Sequence, residues 1–267
     1  MTEPQFAAAD PPLRRIRVGE GEAAHDIALL WRDGDPARPV VVWLGGFRSD
    51  MRATKASRLD AFAAETGRAM LRFDYSGHGE SGGDFEAGTI GGWLADALAA
   101  IDAAAPGRPL ILVGSSMGGW MALLAARALA ARGEAGRIAG VVLLAPAVDF
   151  TEALMWAGMS AAARAEVMQR GRWLRPSAYS PEPYAITRGL IEEGRRHLML
   201  GGVIRTYAPA RILQGQQDDD VPWRHAQAVA ERIAADPVTL TYVRDGDHRL
   251  SREQDLALLV EAVATIA

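Results

Sequence analysis

Short uninterrupted apolar runs alternate along the chain with longer stretches whose apolar residues recur every three or four positions. The first pattern fits strands and the second amphipathic helices. Strands are predicted over residues 27–31, 39–44, 69–73, 110–113, 138–144, 211–214 and 238–243. Helices are predicted over residues 54–66, 89–104, 116–131, 223–235 and 252–266. In the first helix Leu59, Phe62 and Ala63 form one stripe. Leu110-Ile111-Leu112-Val113 is apolar throughout, as expected of a central parallel strand buried on both faces. Such alternation predicts an α/β fold: a mostly parallel central sheet with helices on both faces.

Residues 150–205 break the rhythm. They contain no clear strand but carry Met155, Trp156, Met159, Met168, Trp173, Tyr179, Tyr184 and Met199. The segment is read as a helical lid inserted at the carboxyl end of a strand, where sheets of this kind open their ligand crevice. The expected division is a core of residues 1–149 and 206–267 with a lid over 150–205.

The sharpest chemical signal is Gly114-Ser115-Ser116-Met117-Gly118. It fits G-x-S-x-G between an apolar strand and a helix, the setting in which the central serine is thrust out of a strained turn. Ser116 is therefore the candidate nucleophile. Ser115 is disfavoured because Gly114 and Gly118 centre on Ser116. The helix N-terminus favours developing negative charge, and the Met117 N–H can face a substrate oxyanion.

A serine hydroxyl needs a base. In this strand–turn–helix setting the acid and then the histidine follow the serine in the chain. His197 lies among Glu192, Glu193, Arg195 and Arg196 and reads as a solvated helix residue, and His225 falls inside a predicted helix. His248, in Asp245-Gly246-Asp247-His248-Arg249 after the last strand, is the favoured base. The orienting carboxylate is sought in Asp218-Asp219-Asp220. Spacing leaves Asp218 and Asp219 equal, and Asp220 is placed to cap the next helix. A second oxyanion donor is expected from Gly45-Gly46-Phe47, with Phe47 giving its N–H and its ring.

Composition narrows the classes. The 267 residues are 49% hydrophobic with a formal net charge of −4, which excludes a disordered chain and a strongly basic nucleic-acid surface. Lys55 is the only lysine and cysteine is absent. Schiff-base chemistry, a lysine-built phosphate loop, disulfides and thiolate sites are thereby removed. The histidines lack H-E-x-x-H spacing, so neither metal nor cofactor is expected. No apolar run approaches the ~18 residues of a membrane span. The first residues lack a signal-peptide pattern, so a cytoplasmic protein is expected.

These motifs resemble the α/β-hydrolase superfamily. Residues 114–118 are similar to its nucleophile elbow, 215–222 to its G-x-x-D-x-x-V-P acid loop, and Gly246-Asp247-His248 to its histidine loop. Arg72-Phe73-Asp74-Tyr75-Ser76-Gly77, Val113 to Trp120, residues 176–180 and Asp219 to Trp223 further resemble the mitochondrial α/β-hydrolase-domain enzymes that cleave palmitoyl thioesters on proteins and acyl glucuronides. The likeness runs from about residue 38 to the C-terminus, but this chain shows no organelle-targeting pattern.

The resemblance singles out Asp218 and implies ester or thioester hydrolysis with Ser116, Asp218 and His248. The implied substrate is a small ester, a thioester or an acylated protein. Gly46, Met155, Trp156, Trp173 and Tyr184 are the candidate substrate contacts, and Trp43 and Trp120 are expected in the core. Arg48, Arg52 and Arg205 read as solvated arginines, or as receivers of an anionic group. Amide, lactone or carbon–carbon hydrolysis on the same residues, and a non-catalytic binding module, are the alternatives, because fold does not fix function.

Overall fold

The computed structural model describes residues 9–21, 24–176 and 183–266. Tyr179 and motif residues 177–180 lie outside them. Eight strands form one sheet: β1 (Leu13–Val18), β2 (His25–Arg32), β3 (Val40–Leu44), β4 (Met70–Phe73), β5 (Leu110–Ser115), β6 (Ile138–Leu144), β9 (Ala210–Gly215) and β10 (Val238–Val243). Their order is β1-β2-β4-β3-β5-β6-β9-β10. From β4 to β10 every pairing is parallel, and β1 and β2 are antiparallel. The fold expected from the sequence is thus present. β1 gives no sequence signal: three arginines in Leu13-Arg14-Arg15-Ile16-Arg17-Val18 mask the period. Exposed charge of this kind protects a sheet edge from further pairing.

Alternation along each strand builds two cores. Val40, Val42, Leu44, Leu110 and Leu112 face the layer formed by α2 (Ile90–Ala104), α3 (Met117–Ala131) and α6 (Trp223–Arg232). Val41, Trp43, Ile111 and Val113 face α1 (Thr54–Thr66) and α7 (Glu253–Ala264). Thr89 caps α2 by accepting the Gly92 N–H at 3.1 Å, in line with the preference for Thr at that position.

Between β6 and β9 lie a π-helical turn (Thr151–Trp156), α4 (Ala161–Arg170), β7 (Arg172–Arg175), β8 (Tyr184–Thr187) and α5 (Arg188–Gly194). The purely helical expectation is corrected here, because β7 and β8 pair as an antiparallel ribbon. Four residues per strand are too few to establish a period of two. Residues just past the carboxyl ends of β3, β5, β6 and β9 line one cavity together with Leu154, Met155, Arg175 and Tyr184 of this segment.

Candidate active site

Strand β5 ends at Ser115 and α3 begins at Met117, which leaves Ser116 alone at the turn. Its backbone, φ 56° and ψ −119°, lies where side-chain-bearing residues are rare and where strain costs about 1–3 kcal/mol. Two glycines make the turn possible. A Cβ on Gly114 would stand 2.0 Å from the Gly118 carbonyl oxygen, and one on Gly118 1.9 Å from that of Leu44. The Ser116 N–H donates to Leu144 at 2.8 Å, and its carbonyl accepts from Gly119 and Ala147. The backbone is held on both sides and the hydroxyl points into a cavity.

His248 reaches that hydroxyl from the loop between β10 and α7. Its Nε2 lies 3.2 Å from Ser116 Oγ, and its Nδ1 lies 2.9 Å from Asp218 Oδ2. The three aspartates differ in burial and bonding. Asp218 is buried, whereas Asp219 and Asp220 are exposed. Asp218 Oδ1 accepts the N–H groups of Asp220 and Val221 at 2.9 and 2.8 Å. Its Oδ2 also accepts from Gln214 Nε2 at 3.1 Å. With an N–H of the imidazole on Oδ2, the other ring nitrogen is free to accept the serine proton. Asp220 does not cap α6; Pro222 occupies the N-cap position.

The acid and histidine loops touch directly. A Cβ on Gly215 would meet the Gly246 carbonyl oxygen at 2.4 Å, and the Gln217 N–H donates to that oxygen at 2.9 Å. Phe47 and Met117 line the cavity beside Ser116. Neither backbone N–H has an acceptor among the described residues, so both remain available to a substrate oxygen.

The cavity measures about 610 Å³. Gly46, Met155 and Tyr184 line it, but Trp156 and Trp173 do not. The guanidinium groups of Arg164 and Arg195 instead lie over the Trp156 ring, 5.4 and 5.1 Å from its centroid. Trp173 sits opposite Ile186 in the β7–β8 ribbon. Phe47 is the aromatic hub, with Phe85, Phe150 and Tyr184 ring centroids 5.0, 5.7 and 5.8 Å away. Burial pushes the Tyr184 hydroxyl up from its usual range. Arg48 stacks 4.9 Å over Tyr184. Arg52 pairs with Asp10 and Glu80, and Arg205 with Asp236. Trp43 and Trp120 are fully buried, Trp43 also bordering the cavity.

Gln214, Phe150, Leu154, Arg175 and Lys55 carry no motif and emerge only from the three-dimensional arrangement. Burial pushes the Lys55 ammonium down to about 8. His197 is half-buried against Glu193 at 2.5 Å, contrary to the solvated reading, and His225 binds the Val148 carbonyl at 2.8 Å. Among the described residues one group has metal-ligand spacing: Asp218, Asp220 and His248, within 4.8 Å. The Asp218 carboxylate of this group already accepts from His248, Gln214 and two backbone N–H groups.

Residues 35–189 match the family model described as serine aminopeptidase, S33. Human palmitoyl-protein thioesterase ABHD10, mitochondrial, is 37% identical over 84% of this chain and 72% of its own length. The chain belongs to the α/β-hydrolase family. Two solved α/β-hydrolase-like structures extend the likeness across the whole fold. A putative hydrolase from Agrobacterium vitis S4 is 47% identical with a TM-score of 0.92, covering 96% of this chain and 98% of that one. Mouse alpha/beta hydrolase domain-containing protein 10 is 31% identical with a TM-score of 0.82, covering 94% and 97%. As an α/β-hydrolase the chain is a hydrolytic enzyme. The curated relatives are named as mitochondrial, which gives no support to the cytoplasmic expectation. Among the described residues no helix is long and apolar enough to cross a membrane.

Proposed function

We propose that this α/β-hydrolase cleaves carboxylic esters or thioesters through an acyl-enzyme on Ser116. One observation carries the reading: His248 spans Ser116 Oγ and Asp218 Oδ2 at 3.2 and 2.9 Å. In the proposed reaction Ser116 attacks the carbonyl carbon as its proton passes to His248 Nε2. Asp218 stabilises the imidazolium and fixes its orientation. The Phe47 and Met117 N–H groups hold the oxyanion, and each such donor is worth about 100- to 1000-fold in rate. His248 then protonates the leaving alcohol or thiol. Water, deprotonated by the same ring, attacks the acyl-enzyme and frees the carboxylic acid and the serine.

Residues 150–205 are read as a lid over a core of residues 1–149 and 206–267. Gly46, Met155 and Tyr184 are proposed to contact the acyl group, with Trp156 and Trp173 supporting the lid from outside the cavity. The apolar wall of Phe47, Phe150, Leu154 and Met155 supports an apolar acyl chain. The relatives named as palmitoyl-protein thioesterases agree with that chemistry. Peptide hydrolysis from a free N-terminus is disfavoured. Arg48, Lys55, Arg175 and Arg249 border the cavity against two carboxylates, Asp50 and Asp220, a balance that repels an α-ammonium group.

The test is labelling with a fluorophosphonate, together with hydrolysis of p-nitrophenyl esters and acyl thioesters. The parent chain is expected to take the label and turn over both substrate types, and Ser116→Ala to lose label and turnover. A labelled or active Ser116→Ala chain would overturn the reading.

A further inference from the structure

The single lysine of the chain occupies an unfavourable place. Lys55 is the second residue of α1, in the first turn, where the helix dipole opposes a cation. Its side chain is half-buried and borders the cavity that holds Ser116 and His248. Nothing in the fold's packing calls for an ammonium there, since the apolar stripe of α1 is carried by Ala56, Leu59, Phe62 and Ala63.

What the ammonium does is donate to the carbonyl oxygen of Arg249, a residue 194 positions away and next to His248. That turn has its own strain. Leu250 has a positive φ of 44°, and its N–H is bound by Asp247 Oδ1 at 3.0 Å. Toward Gly215 the turn is held by backbone contact, and toward α1 it is tied by Lys55, whose ammonium shares the Arg249 carbonyl with the Ser251 hydroxyl at 3.0 Å. We propose that Lys55 is a positioning residue for the base: its ammonium, seated on the Arg249 carbonyl, holds the His248 turn in reach of Ser116. This inference rests on the serine-hydrolase reading given above.

A charged donor suits the task, because charge-assisted hydrogen bonds are roughly twice as strong as neutral ones. The charged groups facing Lys55 are Asp247 and Arg249 on the histidine loop, Asp218 on the acid loop and Asp255 on α7. The three carboxylates favour its protonated form, whereas burial and Arg249 oppose it, leaving the proton to be lost near pH 8. The clamp therefore weakens in mildly alkaline solution.

The experiment compares the parent chain with Lys55→Met and Lys55→Ala, measuring kcat and KM for p-nitrophenyl butyrate against pH, with thermal melting alongside. Displacing a catalytic group by about 1 Å can cost on the order of 100-fold, and a loss of about 10- to 100-fold in kcat is expected in both variants, with KM near the parent value. The parent's alkaline decline near pH 8 should be absent from Lys55→Met. Lys55→Met should melt near the parent temperature, because methionine keeps the volume of the half-buried side chain. Methylammonium should restore part of the Lys55→Ala rate, and tetramethylammonium, with no N–H to donate, should not. Unchanged kcat and pH profile in Lys55→Met would overturn the proposal. So would losses that follow the melting temperature and resist methylammonium. Ser116→Ala serves as the control: activity surviving there sinks the serine reading, whereas a dead Ser116→Ala beside a fully active Lys55→Met sinks the Lys55 role alone.

Discussion

The carbonyl oxygen of Leu44 lies 1.9 Å from the place where a Cβ on Gly118 would stand. The end of β3 and the first turn of α3 are therefore in backbone contact. This contact puts the loop carrying Phe47 alongside the start of α3, so two orphan N–H groups face one cavity. A methyl group at Gly118 has no flexible neighbour to displace, and the two backbones must separate. Gly118→Ala is expected to lower kcat by about 100-fold, the cost of losing one oxyanion donor, and to lower the melting temperature. Steady-state kinetics on the folded fraction checks this; a variant with parental kcat would contradict the arrangement.

The three consecutive aspartates should respond very differently to amidation. Asp218→Asn replaces an acceptor with a donor opposite the His248 N–H and favours the wrong tautomer, so a kcat loss of about 10⁴-fold is expected. Asp219→Asn, on an exposed residue, should leave kcat within about twofold, as for most surface substitutions. Comparable losses in both variants would remove Asp218 from its proposed role.

These aspartates mark where the sequence stops being informative. The turn at Ser116 is legible because strand, glycine spacing and helix are all local, and each constrains the same few residues. The choice of Asp218 depends on Gln214, two backbone N–H groups and a histidine 30 positions away, contacts that no local pattern encodes. Resemblance to a family made that choice where spacing could not. Lys55 is invisible for the same reason, since its partner is the Arg249 carbonyl. Trp156 and Trp173 read as pocket residues by hydrophobicity, yet the Trp156 ring lies under two arginines and Trp173 packs partly buried against the core. β7 and β8 were hidden by brevity, and β1 by its arginines.

A buried charge network outside the cavity sets a stability prediction. Arg72 is fully buried, with Nη2 2.6 Å from Asp10 and 3.1 Å from Asp60, and Nη1 donating to the Met51 carbonyl at 3.3 Å. Arg32 bonds the same Asp60 carboxylate through Nε at 2.9 Å. Removing Arg72 leaves Asp60 buried with a single cation. Because Arg32 still pairs with Asp60, Arg72→Met is expected to cost about 1–3 kcal/mol in urea unfolding, the penalty of a buried acceptor losing one of its donors. A loss below about 1 kcal/mol, typical of exposed pairs, would show that the pair is not effectively buried.

Two histidines predict acid sensitivity. Burial pushes the His78 and His225 imidazoles below their ordinary 6.5. Below that value the unfolded chain binds protons that the folded chain refuses, so stability falls as pH drops through this range. In His225→Leu the Val148 carbonyl loses its donor, and about 1 kcal/mol should be lost at pH 7.5. The same variant should lose less than the parent between pH 7 and 5.5. Denaturant titrations at both pH values give the two slopes. Identical slopes would mean that His225 takes up its proton equally well folded and unfolded.

The apolar wall of the cavity makes a final, quantitative claim about the acyl group. Each methylene moved from water into such a site contributes about 0.8 kcal/mol, or about fourfold in kcat/KM. Parent activity on p-nitrophenyl esters should therefore climb with acyl length until the cavity is full. Leu154, half-buried on the π-helical turn, borders the cavity and is not needed for the Ser116–His248 contact. Leu154→Trp fills part of the space, so its kcat/KM should match the parent on acetate and butyrate and stop rising at a shorter chain. The break point moves because only space has changed, while the serine, its base and the oxyanion donors are untouched. A uniform loss across all chain lengths would instead mean that the insertion positions the reacting groups, and a parental profile would place the acyl chain elsewhere.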